Sequence, residues 1–245
     1  MKEILNIKNL CKNGILNNIS FKVYPGEMVA VMGPSGSGKS TLLYNVSGMD
    51  EADSGEAWYN DKDVVAASED EKAKLRLNRM GFVFQQMNVL SNLNIIDNIS
   101  FPAIHALGKK KEPEIKKRAK KLMEEFDIAD LANRMTNEVS GGQLQRACIC
   151  RSMMLEPDIL FADEPTGALN QSATKAVMDA FVKLNDEGTT VLMVTHDSKV
   201  AGKCDRVLYI LDGELKGELK FEKELSKDSP ERDTRINNWL TSLGW

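Results

Sequence analysis

The chain has 245 residues, a formal net charge of −4, 42% hydrophobic residues and 28% charged residues. This length can bury a full core in one large domain, and the composition is ordinary for a soluble globular protein. A slightly acidic chain has no overall positive field, so nucleic acid is not an expected partner. The longest apolar runs, such as Met28–Met32, are too short to cross a bilayer, and Met1–Asn6 lacks the apolar stretch of a signal peptide. We therefore expect a cytoplasmic chain with no direct membrane span.

The first elements in chain order are strands. Alternation over Ile4–Asn9 predicts an edge strand, and Ile15–Val23 predicts a second strand, after which Pro25-Gly26 marks a turn. Met28–Met32 is a continuous apolar run, which is typical of a strand buried inside a parallel sheet. It leads into a glycine-rich loop and a helix that begins near Lys39.

Further strands and a helical block follow. The strand-like segments are Glu56–Tyr59, Gly81–Gln85, Ile159–Asp163, Thr189–Thr195 and Val207–Leu211, with Asp212-Gly213 as a hairpin turn. Residues 93–155 have a helical pattern instead, with one apolar face formed by Ile115, Ala119, Leu122 and Phe126. Strands that alternate with helices predict an α/β fold, into which the helical block is inserted. After residue 220 the composition turns polar, and Asp233–Trp245 is predicted to form a short terminal helix.

The four cysteines, Cys11, Cys148, Cys150 and Cys204, include no Cys-x-x-Cys pair, and the chain has only two histidines. This composition argues against a zinc site. We expect all four residues to be buried, reduced core thiols.

A phosphate-binding loop is predicted at Gly33-Pro34-Ser35-Gly36-Ser37-Gly38-Lys39-Ser40, between a strand and a helix. Its glycines let backbone N–H groups converge on phosphate oxygens, and the helix N-terminus adds partial positive charge. Lys39 would neutralise the β- and γ-phosphates, and the Ser40 hydroxyl would bind Mg²⁺. The alternative is a glycine-rich turn that matches by chance, and the strand before the loop argues against it. The residues predicted to bind ATP are Gly33, Ser35, Gly36, Ser37, Gly38, Lys39, Ser40 and Thr41.

Two residues with carboxylate side chains lie at the end of the predicted strand Ile159–Asp163 and directly after it. Parallel sheets place ligands at the carboxyl ends of their strands, so Asp163 is a candidate ligand of Mg²⁺. Glu164 follows it and can deprotonate the attacking water as general base. Taken alone, the two residues could equally be surface carboxylates, but the upstream phosphate loop favours the catalytic interpretation.

A helix is predicted to start after Ser140, in Ser140-Gly141-Gly142-Gln143-Leu144-Gln145-Arg146, and to run to Leu155. Ser140 is a good N-cap, and the two glycines leave backbone amides open to an anion. Each glycine lowers helix propensity by about 1 kcal/mol, which suggests the close approach of a ligand or partner. The alternative is a capped helix with nothing bound.

These motifs together resemble those of the ABC ATPases, in the family's order, over roughly Ile4–Lys220. The segment Ser140–Arg146 resembles the signature motif, Gln85 the Q-loop glutamine that contacts Mg²⁺ and water, and His196 the switch histidine that contacts the γ-phosphate. The resemblance implies a P-loop NTPase core of mainly parallel sheet, with an antiparallel β subdomain and an α-helical subdomain at about 93–155. It implies an ATPase domain over 1–220 and a separate, part-helical tail over 221–245.

The resemblance also implies a mechanism that uses ATP, Mg²⁺ and two copies of the chain. The catalytic residues would be Glu164, His196 and Gln85, and the Mg²⁺ ligands Ser40, Gln85 and Asp163. A homodimer would form on ATP binding. The nucleotide bound by one copy would then be contacted by a group from the other copy: Ser140, Gly141, Gly142 and Gln143. Opening of the pair after hydrolysis to ADP and phosphate would drive transmembrane permease subunits bound near Gln85 and the helical block.

Three segments narrow the resemblance to one branch of the family. Gly81–Leu90, Asp97–Pro102 and Glu164–Asn170 are similar to the lipoprotein-release and macrolide-export branch, including its antimicrobial-peptide resistance members. This implies a subunit at the inner face of the cell membrane that powers a separate FtsX-like permease, which exports or extracts a peptide, lipopeptide or other amphiphile. The alternative is an ATPase of a sensory or cell-wall-regulating complex without net transport. A soluble ABC protein of translation, DNA repair or iron–sulfur assembly, or a phosphate-loop kinase, fits the motifs less well.

The sequence departs from the family pattern in two places and carries one basic run. Most relatives have an adenine-stacking aromatic between the first two strands, but Cys11–Gly14 holds none, which predicts weak ATP affinity or base selectivity. Asn170 replaces an aspartate common in relatives, and we expect this to alter communication across the dimer. The run Lys109–Lys121 is interleaved with glutamates and is interpreted as a solvated helix face rather than a site for anionic lipid.

Overall fold

The computed structural model describes residues 2–222 and 224–245, so Met1 and Lys223, which fall within the two predicted domain ranges, lie outside the description. The strands are β1 Leu5–Lys12, β2 Leu16–Val23, β3 Met28–Met32, β4 Ser54–Tyr59, β5 Lys62–Asp63, β6 Met80–Val83, β7 Ile159–Asp163, β8 Thr190–Val194, β9 Arg206–Leu211 and β10 Glu214–Lys220. The α-helices are α1 Lys39–Val46, α2 Glu69–Arg79, α3 Ile95–Leu107, α4 Glu112–Glu125, α5 Gly141–Ser152, α6 Gln171–Asp186, α7 Ser198–Ala201 and α8 Pro230–Ser242. Short 3₁₀ turns span Lys109–Lys111, Ala129–Leu131 and Thr136–Glu138.

A six-stranded sheet in the order β10-β9-β3-β8-β7-β6 carries the candidate site. All neighbours are parallel except the hairpin β9–β10, in which Asp212 and Gly213 both have positive φ and form the predicted turn. Every residue of β3, β7 and β8 is buried, as continuous apolar runs predict for central parallel strands. The carboxyl ends of these three strands therefore open at one edge, where loops and ligands meet.

The two faces of this sheet are covered differently. On one face, the antiparallel sheet β2-β1-β4-β5 and α1 bury a core that includes Leu5, Ile19, Val31 and Leu42. On the other face, α3 to α6 and α8 bury a second core that includes Met32, Phe181 and Tyr209. The α/β class, the antiparallel β part and the helical part of the prediction are thereby confirmed.

The helical block consists of α3, α4 and α5. Its predicted apolar face is buried, since Ile115, Ala119, Leu122 and Phe126 are each 8% exposed or less. The basic run on α4 faces outward and forms ion pairs, among them Lys116 with Asp97 and Glu112 and Lys121 with Glu125. These are the contacts of a solvated helix face.

Several elements were not predicted individually, among them α2 and β5, and several helix and strand ends differ. In α2 only Lys72 is buried, so α2 lacks the apolar periodicity that reveals a helix, and a capping box between Ser68 and Glu71 starts it instead. The two-residue strand β5 is too short to leave a pattern. Helix α5 ends at Ser152 rather than Leu155, and β1 continues to Lys12 through an irregularity after Ile7. Helix α8 spans Pro230–Ser242, not Asp233–Trp245, because Ser229 caps it and proline suits its first turn.

The cysteine prediction is confirmed for three residues and wrong for one. Cys148, Cys150 and Cys204 are buried free thiols, and burial raises the pKa of Cys204 to about 12. Cys11 is half-buried, because it lies where the pairing of β1 with β4 changes register, at the rim of the antiparallel sheet. Among the helices of the described residues, none is both long and apolar enough to span a bilayer.

Candidate nucleotide-binding site

The phosphate loop connects β3 to α1 at the open edge of the sheet. Gly36 and Gly38 have φ values of 80° and 97°, a left-handed conformation that side chains rarely adopt. A Cβ on Gly38 would also lie 2.8 Å from the Leu16 Cδ2 atom, so β2 packs against the loop at this point. Helix α1 begins directly after Gly38, and its free N–H groups face the region where phosphates bind in such loops.

Lys39 is the buried cation of the loop. Its ammonium donates a hydrogen bond to the Pro34 carbonyl at 2.8 Å. Burial lowers the pKa of Lys39, and the nearby carboxylates of Glu164 and Asp163 oppose that shift. Among the residues that the structure describes, Lys39 has no other hydrogen-bond partner, so its ammonium is well suited to pair with an incoming phosphate.

Asp163 is held between two hydroxyl groups of α1. Ser40 donates to its Oδ1 atom at 2.8 Å, and Tyr44 donates to its Oδ2 atom at 2.6 Å. Burial and the adjacent Asp163 carboxylate raise the pKa of Tyr44 well above its usual range, so Tyr44 remains a donor. The Ser40 hydroxyl and the Asp163 carboxylate are the hard oxygen donors that Mg²⁺ takes, and the pair fits this ion. Sequence reasoning missed Tyr44, although its position one helical turn after Ser40 was a usable signal.

Glu164 and His196 face each other at the ends of β7 and β8. The His196 Nδ1 atom lies 3.2 Å from the Glu164 Oε2 atom. Glu164 has a φ of 43°, an uncommon conformation for a residue with a side chain, and its N–H donates to the Val194 carbonyl at 3.0 Å. The backbone of β8 thus fixes this turn, and outliers of this kind cluster at functional sites.

Gln85 lies close to Glu164 but does not line the phosphate-loop cleft. A Cβ added to Gly167 would lie 3.1 Å from the Glu164 Oε2 atom and 3.2 Å from the Gln85 Nε2 atom. The absence of a side chain at Gly167 therefore allows both polar groups to approach the same point.

The cleft over the phosphate loop brings together most of the predicted ATP-binding residues. It has a volume of about 690 Å³, and the predicted residues that line it are Gly33, Ser35, Gly36, Gly38, Lys39, Ser40, Thr41, Glu164 and His196. Ser37 is buried and does not line the cleft, and Asp163 lies behind Ser40. Ile15 and Trp245 also line the cleft, and no sequence motif marked either of them.

The predicted group Ser140, Gly141, Gly142 and Gln143 lines a different cleft, of about 380 Å³, which Asn170 also lines. Ser140 and Gln143 form a reciprocal capping box at the start of α5. Asn170 likewise caps α6, since its Oδ1 atom accepts the Ala173 N–H at 2.9 Å. Within one chain, this group and the phosphate loop therefore line separate clefts.

The need for glycine at position 142 has a structural reason that the sequence did not reveal. A Cβ on Gly142 would lie 2.7 Å from the Ala173 Cβ atom, so α5 and α6 could not pack this closely around a side chain. The sequence suggested that a ligand or partner approaches these glycines closely. At Gly142, the element that approaches is α6 of the same chain. The nearest atom to a Cβ on Gly141 is the flexible Leu169 Cδ2 atom, at 3.3 Å.

Helix α5 is fastened to the segment that contains Gln85. Arg151 donates to the Asn88 and Met87 carbonyls, each at 2.8 Å. Gln145 donates to the Phe84 carbonyl at 3.3 Å, on the other side of Gln85. The helix that carries Ser140 and the segment that carries Gln85 are thus one hydrogen-bonded unit.

The chain is similar to proteins of known family in both sequence and structure. A family model described as ABC transporter matches residues 16–167. The macrolide export ATP-binding/permease protein MacB of Campylobacter jejuni is 42% identical over 97% of this chain, which spans 37% of that relative's length. The lipoprotein-releasing system ATP-binding protein LolD of Aquifex aeolicus is 41% identical, over 89% of this chain and 99% of the relative.

Solved structures agree with the sequence relatives. The dimeric structure of MJ0796, a bacterial ABC transporter cassette, has a TM-score of 0.80 at 35% identity, over 89% of this chain and 99% of that one. A post-hydrolysis state of the same cassette, bound to ADP and Pi, has a TM-score of 0.77. The chain belongs to the ABC transporter family and contains its ATP-binding domain, an ATPase that uses ATP and Mg²⁺.

Proposed function

We propose that this chain lies at the inner face of the cell membrane, where its ATP hydrolysis powers a separate FtsX-like permease. The cargo we propose is a peptide, lipopeptide or other amphiphile, exported or extracted from the membrane, with antimicrobial-peptide resistance as one such role. Support comes from the similarity to MacB and LolD, whose names state macrolide export and lipoprotein release. The observation that carries the ATPase role is the Glu164–His196 pair at the mouth of the phosphate-loop cleft.

The geometry suggests a role for each residue of the site. The phosphate loop and Lys39 bind the triphosphate, and Ser40 with Asp163 holds Mg²⁺, which when bound neutralises charge on the phosphates. Glu164 takes a proton from the attacking water, while His196 fixes its carboxylate from the other side. Gln85, next to Glu164 at Gly167, orients that water.

A homodimer completes the proposed site. Ser140, Gly141, Gly142 and Gln143 line a cleft separate from the phosphate loop of their own chain, so they would reach a nucleotide only in a second copy. The N–H groups at the start of α5 then meet the γ-phosphate held by Lys39 of the other copy. ATP thereby holds the pair together, and its hydrolysis releases it.

This chain has a groove between α3 and β6 that is a candidate docking site for the permease. The groove has a volume of about 360 Å³ and is lined by apolar side chains that include Met49, Phe82, Leu90 and Phe101. Phe101 is 51% exposed, which is unusual for a large aromatic side chain. An apolar segment of the permease would cover this surface.

The test combines this chain with its permease in vesicles and follows ATP-dependent uptake or release of an amphiphilic peptide. We expect Phe101→Ser to abolish both permease binding and movement while intrinsic ATP hydrolysis persists. Leu107→Ser is the matched control, because Leu107 is 47% exposed on the same helix but lies outside the groove. Permease-stimulated hydrolysis without any movement of peptide would contradict transport and favour a sensory or cell-wall-regulating complex.

A further inference from the structure

Two exposed apolar side chains line the nucleotide cleft besides the phosphate loop. Ile15 is 41% exposed, and its Cγ2 atom would lie 3.4 Å from a Cβ built on Gly38. Trp245 is 47% exposed and belongs to the segment after α8, far from the loop in sequence. An indole that is half open to solvent inside a ligand cleft has apolar surface available for a ligand.

The position of Trp245 is set by contacts on both sides of it. Its backbone N–H donates to the Leu240 carbonyl at 3.1 Å, which folds the chain back over the end of α8. Its ring centre lies 5.7 Å from that of Tyr209, at an angle of 53°. Tyr209 is fully buried and pairs with Met32, the residue directly before Gly33 of the phosphate loop. Trp245 therefore packs against the strand next to the one that carries the loop.

Helix α8 is itself anchored to the sheet. Ile236 and Leu240 are buried, and the Trp239 ring meets the Tyr209 ring edge-on at 6.2 Å. The buried Arg232 guanidinium donates to the Cys204 carbonyl at 2.8 Å. Asp233 accepts a hydrogen bond from Ser198, which lies two residues after His196. The segment that carries Trp245 thus connects to two loops of the nucleotide site.

The cleft has one polar part, which suits the phosphates of a nucleotide, and one apolar part, which suits its base. Loop N–H groups and Lys39 suit the phosphates, for which an apolar side chain is a poor partner. The base is planar and largely apolar, and bases stack on aromatic side chains. The connection Cys11–Gly14 offers no aromatic ring, whereas Trp245 does. We propose that Trp245 is a nucleotide-binding residue whose indole packs against the base of ATP.

The test measures ATP affinity by calorimetry in the presence of Mg²⁺ and in the absence of any permease. We expect Trp245→Ala to weaken ATP binding by about 5- to 150-fold, the range found for removal of a base-stacking aromatic. Trp245→Phe keeps most of the affinity. Asn238→Ala, at an exposed position on α8, leaves the ATP affinity unchanged. Tripolyphosphate, which lacks a base, binds wild type and Trp245→Ala equally.

A second measurement does not depend on how well the alanine variant folds. ATP is expected to change the tryptophan emission of the wild type, and this change is lost in Trp245→Phe, which retains Trp58 and Trp239. Equal ATP affinity in Trp245→Ala, or an equal loss for ATP and tripolyphosphate, overturns the proposal. Tighter ATP binding in Trp245→Ala also overturns it, since the indole would then obstruct the site. Because no permease is present, these outcomes are independent of whether the chain drives transport.

Discussion

At the scale of single residues, Asp163 shows how the site is prepared for a metal ion. Both of its carboxylate oxygens accept hydrogen bonds from α1, one from Ser40 and one from Tyr44. Ser40 is a proposed Mg²⁺ ligand itself, whereas Tyr44 acts only on the carboxylate. Tyr44 is therefore a positioning residue, and its removal tests whether the orientation of Asp163 matters.

We predict that Tyr44→Phe raises the Mg²⁺ concentration needed for half-maximal nucleotide binding by up to about tenfold. A factor of ten corresponds to ~1.4 kcal/mol, close to the low end for a hydrogen bond to a charged group. Titration of Mg²⁺ at fixed ATP, with fluorescence-detected nucleotide binding, measures the shift. Tyr24→Phe, in a surface turn, serves as the control, and an unchanged Mg²⁺ dependence in Tyr44→Phe would show that Asp163 is held without the hydroxyl.

Glu164→Gln tests the proposed general base. The amide keeps the size of the side chain but cannot take a proton, so we expect hydrolysis to fall by about 10²- to 10⁴-fold while ATP binding is retained. Release of phosphate and equilibrium binding of ATP are measured on the same preparation. Glu187→Gln, on the surface after α6, should leave both unchanged. Hydrolysis near the wild-type rate in Glu164→Gln would remove Glu164 from this role.

The sequence was sufficient to identify Lys39, Ser40, Glu164 and His196 as candidates, because each follows a strand at a fixed offset within a recognisable motif. Tyr44 and Trp245 were not identified. The hydroxyl of Tyr44 reaches Asp163 only through the pairing of α1 with the end of β7, and Trp245 reaches the cleft only through the packing of α8. Contacts between residues that are distant in sequence leave no local pattern.

At the scale of elements, the packing of α5 on α6 depends on one glycine. We predict that Gly142→Ala destabilises the protein by about 1–3 kcal/mol, the usual cost of overpacking, because its Cβ would meet Ala173 at 2.7 Å. Gly141→Ala is the matched control, since the flexible Leu169 can yield and alanine favours the helix. Urea unfolding midpoints separate the two variants. Equal midpoints would mean that α5 shifts away from α6 without cost.

Elements with an apolar period were predictable, and elements held by polar contacts were not. The central strands and α4 were recognised because burial imposes a pattern on their residues. Helix α2 was not, since its start depends on Ser68 and Glu71 and on an ion pair between Glu71 and Lys62. The capping box is a local signal that was overlooked, whereas the ion pair with Lys62 forms only when β5 lies next to the helix.

At the scale of the whole molecule, the two separate clefts predict complementation between copies. Lys39→Ala disables the phosphate loop, and Ser140→Leu disables the group at the start of α5. We expect each variant alone to hydrolyse ATP poorly and an equal mixture to recover part of the wild-type rate. In a mixed pair, one composite site has an intact Lys39 from one copy and an intact Ser140 from the other.

The measurement is phosphate release from the mixture, compared with the sum of the two variants measured apart. A double variant, Lys39→Ala with Ser140→Leu, mixed with either single variant is the control, since no intact composite site can then form. A mixture that only equals the sum would contradict action across the pair.

The hydrogen bonds of Arg151 and Gln145 to carbonyls on either side of Gln85 have a thermodynamic consequence. The proposed docking groove is lined by Phe84, Asn88 and Arg151, so an occupant of the groove contacts the hydrogen-bonded unit that also holds Gln85 next to Glu164. Linkage between two ligands of one protein is reciprocal. If the permease increases the affinity for ATP by some factor, ATP must increase the affinity for the permease by the same factor. The affinity for each ligand, measured with and without the other, gives four values, and any one of them can be calculated from the remaining three.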